Sequence, residues 1–194
     1  MKVVVFLYEC SRVGSDEFEK QGWLAISCDY KASERNGYHH IQGNVWDYDW
    51  SFADIVIAHP DCTNITNSGV RWLHERPERW DLMVRDAKEF KRVLELPVDM
   101  LCVENPIPHK YALEIIGKDY TQIIHPHYFI GSDESKATCL WLKGLPKLVR
   151  TQWLDKSEIK QSVWREPPGE NRQANRARTS TSIAKAMSNQ WCNL

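Results

Sequence analysis

Five short apolar runs, each giving way to polar residues, restrict this chain to a small set of folds. "KVVVFLYE" opens the series and "LAISCDY" follows, ending on Asp29. "HHIQGNVWD" reads as a third strand or strand end, "DIVIAH" as a fourth and "VDMLCVENP" as a fifth. The first, fourth and fifth are continuous rather than alternating, which marks strands covered on both faces. Helical sequence lies between them. "SDEFEKQGW" can be capped by Ser15 or Asp16 and ended by Gly22. From Pro77 to Leu96, apolar Trp80, Met83, Val84, Ala87, Phe90, Val93 and Leu94 recur at a helical period, and Pro97 closes the segment. This alternation predicts an α/β architecture, a mostly parallel twisted sheet with helices on both faces. Ligands of such sheets gather beyond the carboxyl ends of the strands.

Beyond Pro106 the pattern is weaker. "YALEIIG" predicts a short helix ended by Gly117, and "YTQIIHPHYF" with "KATCLWLKGLP" predict later strands in a hairpin. The polar stretch from Val149 to Arg176, with its Pro-Pro-Gly turn, reads as loops. "STSIAKAMSNQW" reads as a capped final helix with apolar Ile183, Ala184, Ala186, Met187 and Trp191. At 194 residues, and without an internal repeat, one domain over 1–194 is expected.

With 42% hydrophobic and 26% charged residues the chain is too apolar for disorder and too polar for a membrane protein. No run is long enough to span a bilayer, and "MKVVVFLYEC" reaches an acid too early for a signal peptide, so a soluble cytoplasmic protein is expected. Six widely spaced cysteines suggest neither a disulfide framework nor a zinc ribbon. His125 and His127 alternate but have no evident third partner, and no metal site is expected. Net charge is −1, so any nucleic-acid contact must be local. Arg172, Arg176 and Arg178 form the one basic cluster. They are candidates for phosphate contacts, with a solvated loop as the alternative. The nine tryptophans read as core packing before stacking platforms for bases.

Glu9, Asp29, Cys62 and Glu104 each stand where a predicted strand runs out, so all four should meet at one edge of the sheet. Cys62 is the unusual member. Its neighbours Pro60, Asp61, Thr63 and Asn64 are turn residues, and a thiol leaving the sheet in a turn can be exposed and activated as a nucleophile.

"AHPDCT" followed about forty residues later by "VENP" resembles two motifs of the DNA cytosine-5 methyltransferases. "FLYECSRVGSDEFEKQGWLAISCD" and "QGNV" are similar to that family's donor-binding half. The likeness runs well over residues 3–106 and loosely over the final helix. It implies a Rossmann-like methyltransferase fold, with donor binding and catalysis in 1–106 and the rest of the sheet, loops and final helix in 107–194. It also implies S-adenosylmethionine as methyl donor and DNA or a related pyrimidine nucleotide as substrate. Residue by residue, Cys62 would be the nucleophile that adds to carbon 6 of cytosine. Glu104 would support charge at ring nitrogen 3, and Asn105 would hold the glutamate loop. Glu9, Cys10, Ser11, Arg12 and Val13 would surround the donor's methionine part, with Pro60 also among the donor contacts. Asp29 would bind the ribose hydroxyls, and Asn44 with Val45 would face the adenine.

The chain departs from the family in four respects. The donor loop has Gly14 as its only glycine, Asn44 replaces an aspartate, and Asp61 replaces the proline before the cysteine, where an anion should raise the thiol pKa. Nothing has the size of a target-recognition domain. The pattern with "SGVRWL" and "KATCLWLKGLP" resembles short, phage-encoded methyltransferase-like proteins, which implies a phage-infected bacterial host and a partner protein for target recognition. Lys136, Thr138 and Trp141 border the expected site, with Lys136 read as a solvated edge charge. Two other readings stand beside methyl transfer: a catalytically altered protein that binds a nucleotide, nucleic acid or host protein, and transfer of a different group to a pyrimidine.

Overall fold

Alternate residues of a strand face opposite ways, so a strand apolar at every position needs cover on both sides. β1 (Val3–Leu7) has that cover. Val5 and Leu7 join one apolar cluster, and Val4 and Phe6 join another. The first cluster lies under α3 (Arg79–Leu94) and α4 (Lys110–Ile116), through Met83, Ala87, Phe90, Val93, Ala112 and Ile116. The second lies under α1 (Val13–Glu19) and the final helix α6 (Thr181–Trp191), through Phe18, Ile183, Ala186, Met187 and Trp191. The computed structural model describes residues 1–35, 39–169, 172, 176 and 178–194.

The other strands are β2 (Leu24–Asp29), β3 (His40–Gln42), β4 (Ile55–Ala58), β5 (Leu101–Pro106), β6 (Gln122–Ile124) and β7 (Thr138–Lys143). Their spatial order is β3-β2-β1-β4-β5-β7-β6. β1 to β5 are parallel, and β7 runs antiparallel to both β5 and β6. This is the expected Rossmann-like α/β sheet with helices on both faces. Strand order reverses between β1 and β4, which opens a crevice at their carboxyl ends.

Several local expectations are corrected. α1 starts at Val13 rather than at a Ser15 or Asp16 cap, because the buried carboxylate of Glu9 takes over its first turn. Gly22 does adopt a left-handed φ of 82°, past the helix end at Glu19. The segment from Pro77 to Leu96 is helical only over Arg79–Leu94, and a short helix α2 (Arg71–Glu75) precedes it. Gly117 closes α4 with a φ of 70°, as expected. Ser180 precedes α6 without capping it, its hydroxyl facing that of Ser182 at 3.0 Å. Among the described residues the polar stretch holds a short helix, α5 (Ser162–Arg165), and Arg172 and Arg176 are also helical. Residues 170, 171, 173–175 and 177, within the arginine cluster, lie outside the described residues.

Candidate active site

Parallel pairing fixes the centre of the site. The last matched residues of β4 and β5 are Ala58 and Val103. The next residue on each strand, His59 and Glu104, therefore lie side by side where β4 gives out. His59 Nδ1 stands 3.0 Å from Glu104 Oε2, with the two side chains 15% and 10% exposed. At this distance a proton on Nδ1 faces the carboxylate, and the contact acts on the titration of both groups. The imidazole lies parallel to the Phe6 ring, with 7° between planes and 6.4 Å between centroids.

Burial alone would push Glu104 up, but the contact with His59 and the charges of His59 and Lys136 outweigh it and hold the carboxyl below its ordinary value. His59 is moved the opposite way. Burial disfavours its cation, yet Glu104 and then Glu9 raise it above its ordinary range, against a smaller push from Lys136. The pair thus favours an imidazolium beside a carboxylate.

The Cys62 turn follows directly. Asp61 Oδ1 accepts from the Thr63 backbone N–H at 2.8 Å and from the Thr63 hydroxyl at 2.6 Å, and the Cys62 carbonyl accepts from the N–H groups of Ile65 and Thr66. Asp61 therefore builds the turn that presents the thiol. The turn is also tied down from outside. Asn64 donates to Asp86 at 2.7 Å and accepts from Arg79 at 2.6 Å, both on α3. His109 Nδ1 accepts from Ala112 N–H at the start of α4, which places its proton on Nε2, directed at the Asn64 carbonyl at 3.0 Å. Burial lowers the His109 pKa, in keeping with this neutral tautomer. Asn67 N–H donates to the Ile107 carbonyl, and Thr66 bridges to Pro108. The thiol turn and the loop after Glu104 are thus one stitched unit. Cys62 is half-buried, and its pKa is raised first by burial and then by Asp61, with Lys136 pulling it down.

Lys136 is not a solvated edge charge. It is half-buried ahead of β7, its ammonium donates to the Arg178 carbonyl at 2.9 Å, and burial lowers its pKa against the pull of Glu104 and Cys62. One cation thus acts on both the thiol and the carboxylate. Asn105 is buried, with its amide donating to the Pro106 carbonyl at 2.6 Å. Five buried side-chain polar atoms lack a hydrogen-bond partner among the described residues. Three of them belong to residues at this end of the sheet: His59 Nε2, Asn105 Oδ1 and Glu104 Oε2, the last met only by the His59 imidazole. Buried polar atoms are rarely left so, and a cluster of them marks a place shaped for something other than stability.

Glu9 and Asp29 stand where β1 and β2 run out on the same edge. Glu9 is buried and accepts from Gly14 N–H at 2.6 Å and from the Ser15 hydroxyl at 2.5 Å. Tyr8 and Arg12 take left-handed φ values of 60° and 59°. Arg12 turns away from the loop to Asp16 and to Glu19, the latter at 2.6 Å. The half-buried Cys10 and Ser11 complete the turn, the Cys10 carbonyl accepting from Glu34 N–H and the Ser11 hydroxyl from Val13 N–H. Asp29 is half-exposed, and among the described residues its side chain accepts at Oδ1 from Lys31 N–H. Asn44 spends its amide oxygen on Trp46 N–H at 3.1 Å, so it offers an amide donor where an aspartate would offer an acceptor. Val45 and Pro60 are buried. Glu9 thus spends both carboxylate oxygens on the first turn of α1, Asp29 keeps a half-exposed carboxylate, and Asn44 offers an amide donor.

The arginine cluster is less free than expected. Arg178 pairs with Glu34 at 2.7 Å, and Arg172 donates to the Glu166 carbonyl at 2.7 Å. Arg176 lies close enough to Lys136 to disfavour its charge. His125 and His127 face each other at 5.1 Å between centroids, and the described residues hold no cluster able to bind a metal. No described helix is long and apolar enough to cross a membrane.

No protein-family model and no curated protein sequence matches the chain. Solved structures do. A protein described as a DNA modification methyltransferase encoded within an E. coli prophage shares 14% identity at a TM-score of 0.42, over 77% of this chain and 52% of its own. The Entamoeba histolytica methyltransferase EhMeth shares 13% at 0.46, over 78% and 57%. The S. pombe Dnmt2 methyltransferase shares 14% at 0.39, over 88% and 56%. The chain spans just over half the length of these structures. Likeness of this order does not speak to chemistry, and the fold assignment rests on the strand order itself.

Proposed function

We propose that the protein transfers a methyl group to carbon 5 of cytosine in DNA through a covalent adduct with Cys62. What supports this reading is the joining of the Cys62 turn to the Glu104 strand end, with Lys136 acting on both. Carbon 6 of cytosine is a poor electrophile, so a thiolate must attack while ring nitrogen 3 is relieved of the charge pushed onto it. Cys62 serves the first need and Glu104 the second. Lys136 stabilises the thiolate, and Asn105 holds the glutamate loop. Once the adduct forms, carbon 5 is nucleophilic, and loss of its proton later expels the thiol.

S-adenosylmethionine supplies the methyl as an electrophilic sulfonium substituent. Glu9 and the Cys10–Val13 turn would hold its amino-acid end, Asp29 its ribose, and Asn44, Val45 and Pro60 would border the adenine. Arg172 and Arg176 would meet phosphate. A partner protein would supply target recognition, and the cytoplasm of a phage-infected bacterium is the setting in which the reaction makes sense.

DNA carrying 5-fluorocytosine tests the reading, because fluorine blocks the final proton loss. With S-adenosylmethionine present, the wild-type protein should be trapped as a covalent complex and Cys62→Ser should not. Equal trapping by Cys62→Ser removes the thiol from the mechanism. The two left-handed non-glycine residues of the donor loop and the occupied amide of Asn44 favour a second reading, a protein that binds nucleotide or nucleic acid without methyl transfer. Calorimetry separates the two. Micromolar binding of S-adenosylmethionine supports transfer, and no binding at millimolar donor supports the second.

A further inference from the structure

We infer that His59 is the proton reservoir of Glu104: its imidazolium hands the Nδ1 proton to the carboxylate as the carboxyl donates to ring nitrogen 3. This rests on the methyl-transfer reading above. A carboxylate held ionised has no proton to give, so a glutamate acting at nitrogen 3 needs a supplier beside it. The sheet provides one. His59 and Glu104 directly follow the last matched pair of β4 and β5, and the His59 backbone N–H is anchored on the Leu7 carbonyl. Their side chains approach to 3.0 Å, and the imidazole lies parallel to the Phe6 ring at 6.4 Å between centroids. Nε2 has no acceptor among the described residues, so Nδ1 is the route by which a proton can leave toward another side chain.

The charged groups around His59 come from three elements: Glu104 on β5, Glu9 after β1 and Lys136 ahead of β7. The two carboxylates together outweigh Lys136 and burial, so the surroundings favour the proton on the imidazole. The step then balances. As the thiolate forms the S–C6 bond, the C5–C6 π pair moves to C4–C5 and the C4–N3 π pair moves to nitrogen 3; the Nδ1–H bond of His59 breaks, and that one proton passes onto the Glu104 carboxylate and from it to nitrogen 3, leaving a neutral imidazole and an ionised carboxylate. When nitrogen 3 later returns its proton, carboxylate and imidazolium are restored.

The test is the rate of adduct formation with 5-fluorocytosine DNA and S-adenosylmethionine across pH, for wild type and His59→Gln, together with NMR titration of the His59 imidazole in wild type and Glu104→Gln. His59→Gln should be slower by about a hundredfold or more. Its rate should climb with pH until Cys62 ionises, whereas the wild-type rate has stopped climbing by the pH at which His59 loses its proton. In the titration, His59 should stay protonated above its ordinary 6.5 in wild type and fall back in Glu104→Gln. His59→Gln with the wild-type rate and profile overturns the relay alone. So does a wild-type His59 that titrates below 6.5, which decides the matter even if His59→Gln does not fold. A wild-type protein that forms no adduct sinks the methyl-transfer reading, and the relay with it.

Discussion

Asn64→Ala probes whether the nucleophile's turn is held in place by α3. The side chain makes two bonds, each with a charged partner: Nδ2 to Asp86 at 2.7 Å and Oδ1 from Arg79 at 2.6 Å. Hydrogen bonds to charged groups contribute roughly 1.5–3 kcal/mol each. Truncation does not orphan Asp86, whose carboxylate keeps Arg85 at 2.8 Å. Arg79 fares worse, because its Nε already lacks a partner. Asn64 and Arg79 are only half-buried, so water recovers part of the loss and a net cost of about 2–3 kcal/mol is expected. At this chain length that is a fall in Tm of roughly 4–12 °C. Thermal and urea unfolding measure it, and adduct formation should slow in parallel as the turn loosens. Asn64→Asp, which keeps an acceptor for Arg79 but sets a carboxylate against Asp86, should recover none of the loss. A Tm within about 1 °C of wild type for Asn64→Ala would show that the turn stands without α3.

The His59–Glu104 pair should also leave a mark on stability. The raised His59 contributes fully below its ordinary 6.5 and is lost as pH rises through its folded pKa, whereas the lowered Glu104 contributes above its ordinary 4.5 and is lost as pH falls. Urea unfolding of wild type against Glu104→Gln should therefore differ most between about pH 4.5 and 6.5 and converge on both sides, and a pH-independent gap would refute the coupling. For the arginines, replacing Arg172, Arg176 and Arg178 together should flatten the slope of log DNA affinity against log salt by about two rather than three, since Arg178 is already paired with Glu34. An unchanged slope would take them off the phosphate path.

The strands were legible because continuous apolar runs report burial on both faces whatever covers them. The edge that gathers Glu9, Asp29, Cys62 and Glu104 was legible for the same reason, since parallel order alone puts the run ends together. Caps and helix starts were not. α1 is capped by Glu9 from the preceding strand end rather than by Ser15 or Asp16, and short-range pattern cannot anticipate a carboxylate reaching forward. Lys136 departs from the sequence reading because its burial depends on β7 lying antiparallel to β5, with Leu140 opposite Glu104, and on Arg178 returning from far along the chain, its carbonyl accepting a hydrogen bond from the ammonium. His59 did leave a signal. Aligning the ends of "DIVIAH" and "MLCVE" as neighbouring parallel strands sets His59 against Glu104 with no further information.

The donor loop shows how a glycine-poor sequence can follow a path that glycine usually makes easy. A residue with a Cβ in the left-handed region costs on the order of 1–2 kcal/mol, and the loop carries two, Tyr8 and Arg12. Both are anchored by carboxylates that glycine could not reach. The Tyr8 hydroxyl donates to Glu89 at 2.5 Å, and burial together with that contact keeps it protonated and donating. Arg12 is clamped by Asp16 and Glu19 with its side chain buried. Trp46 also donates to Glu89, at 2.6 Å, so the same carboxylate ties the end of β1 to the turn after Asn44. These anchors offset the backbone cost and fix the loop between Glu9 and Asp29. The missing glycines therefore count against easy backbone motion in the loop, and not against the existence of a cradle for the donor.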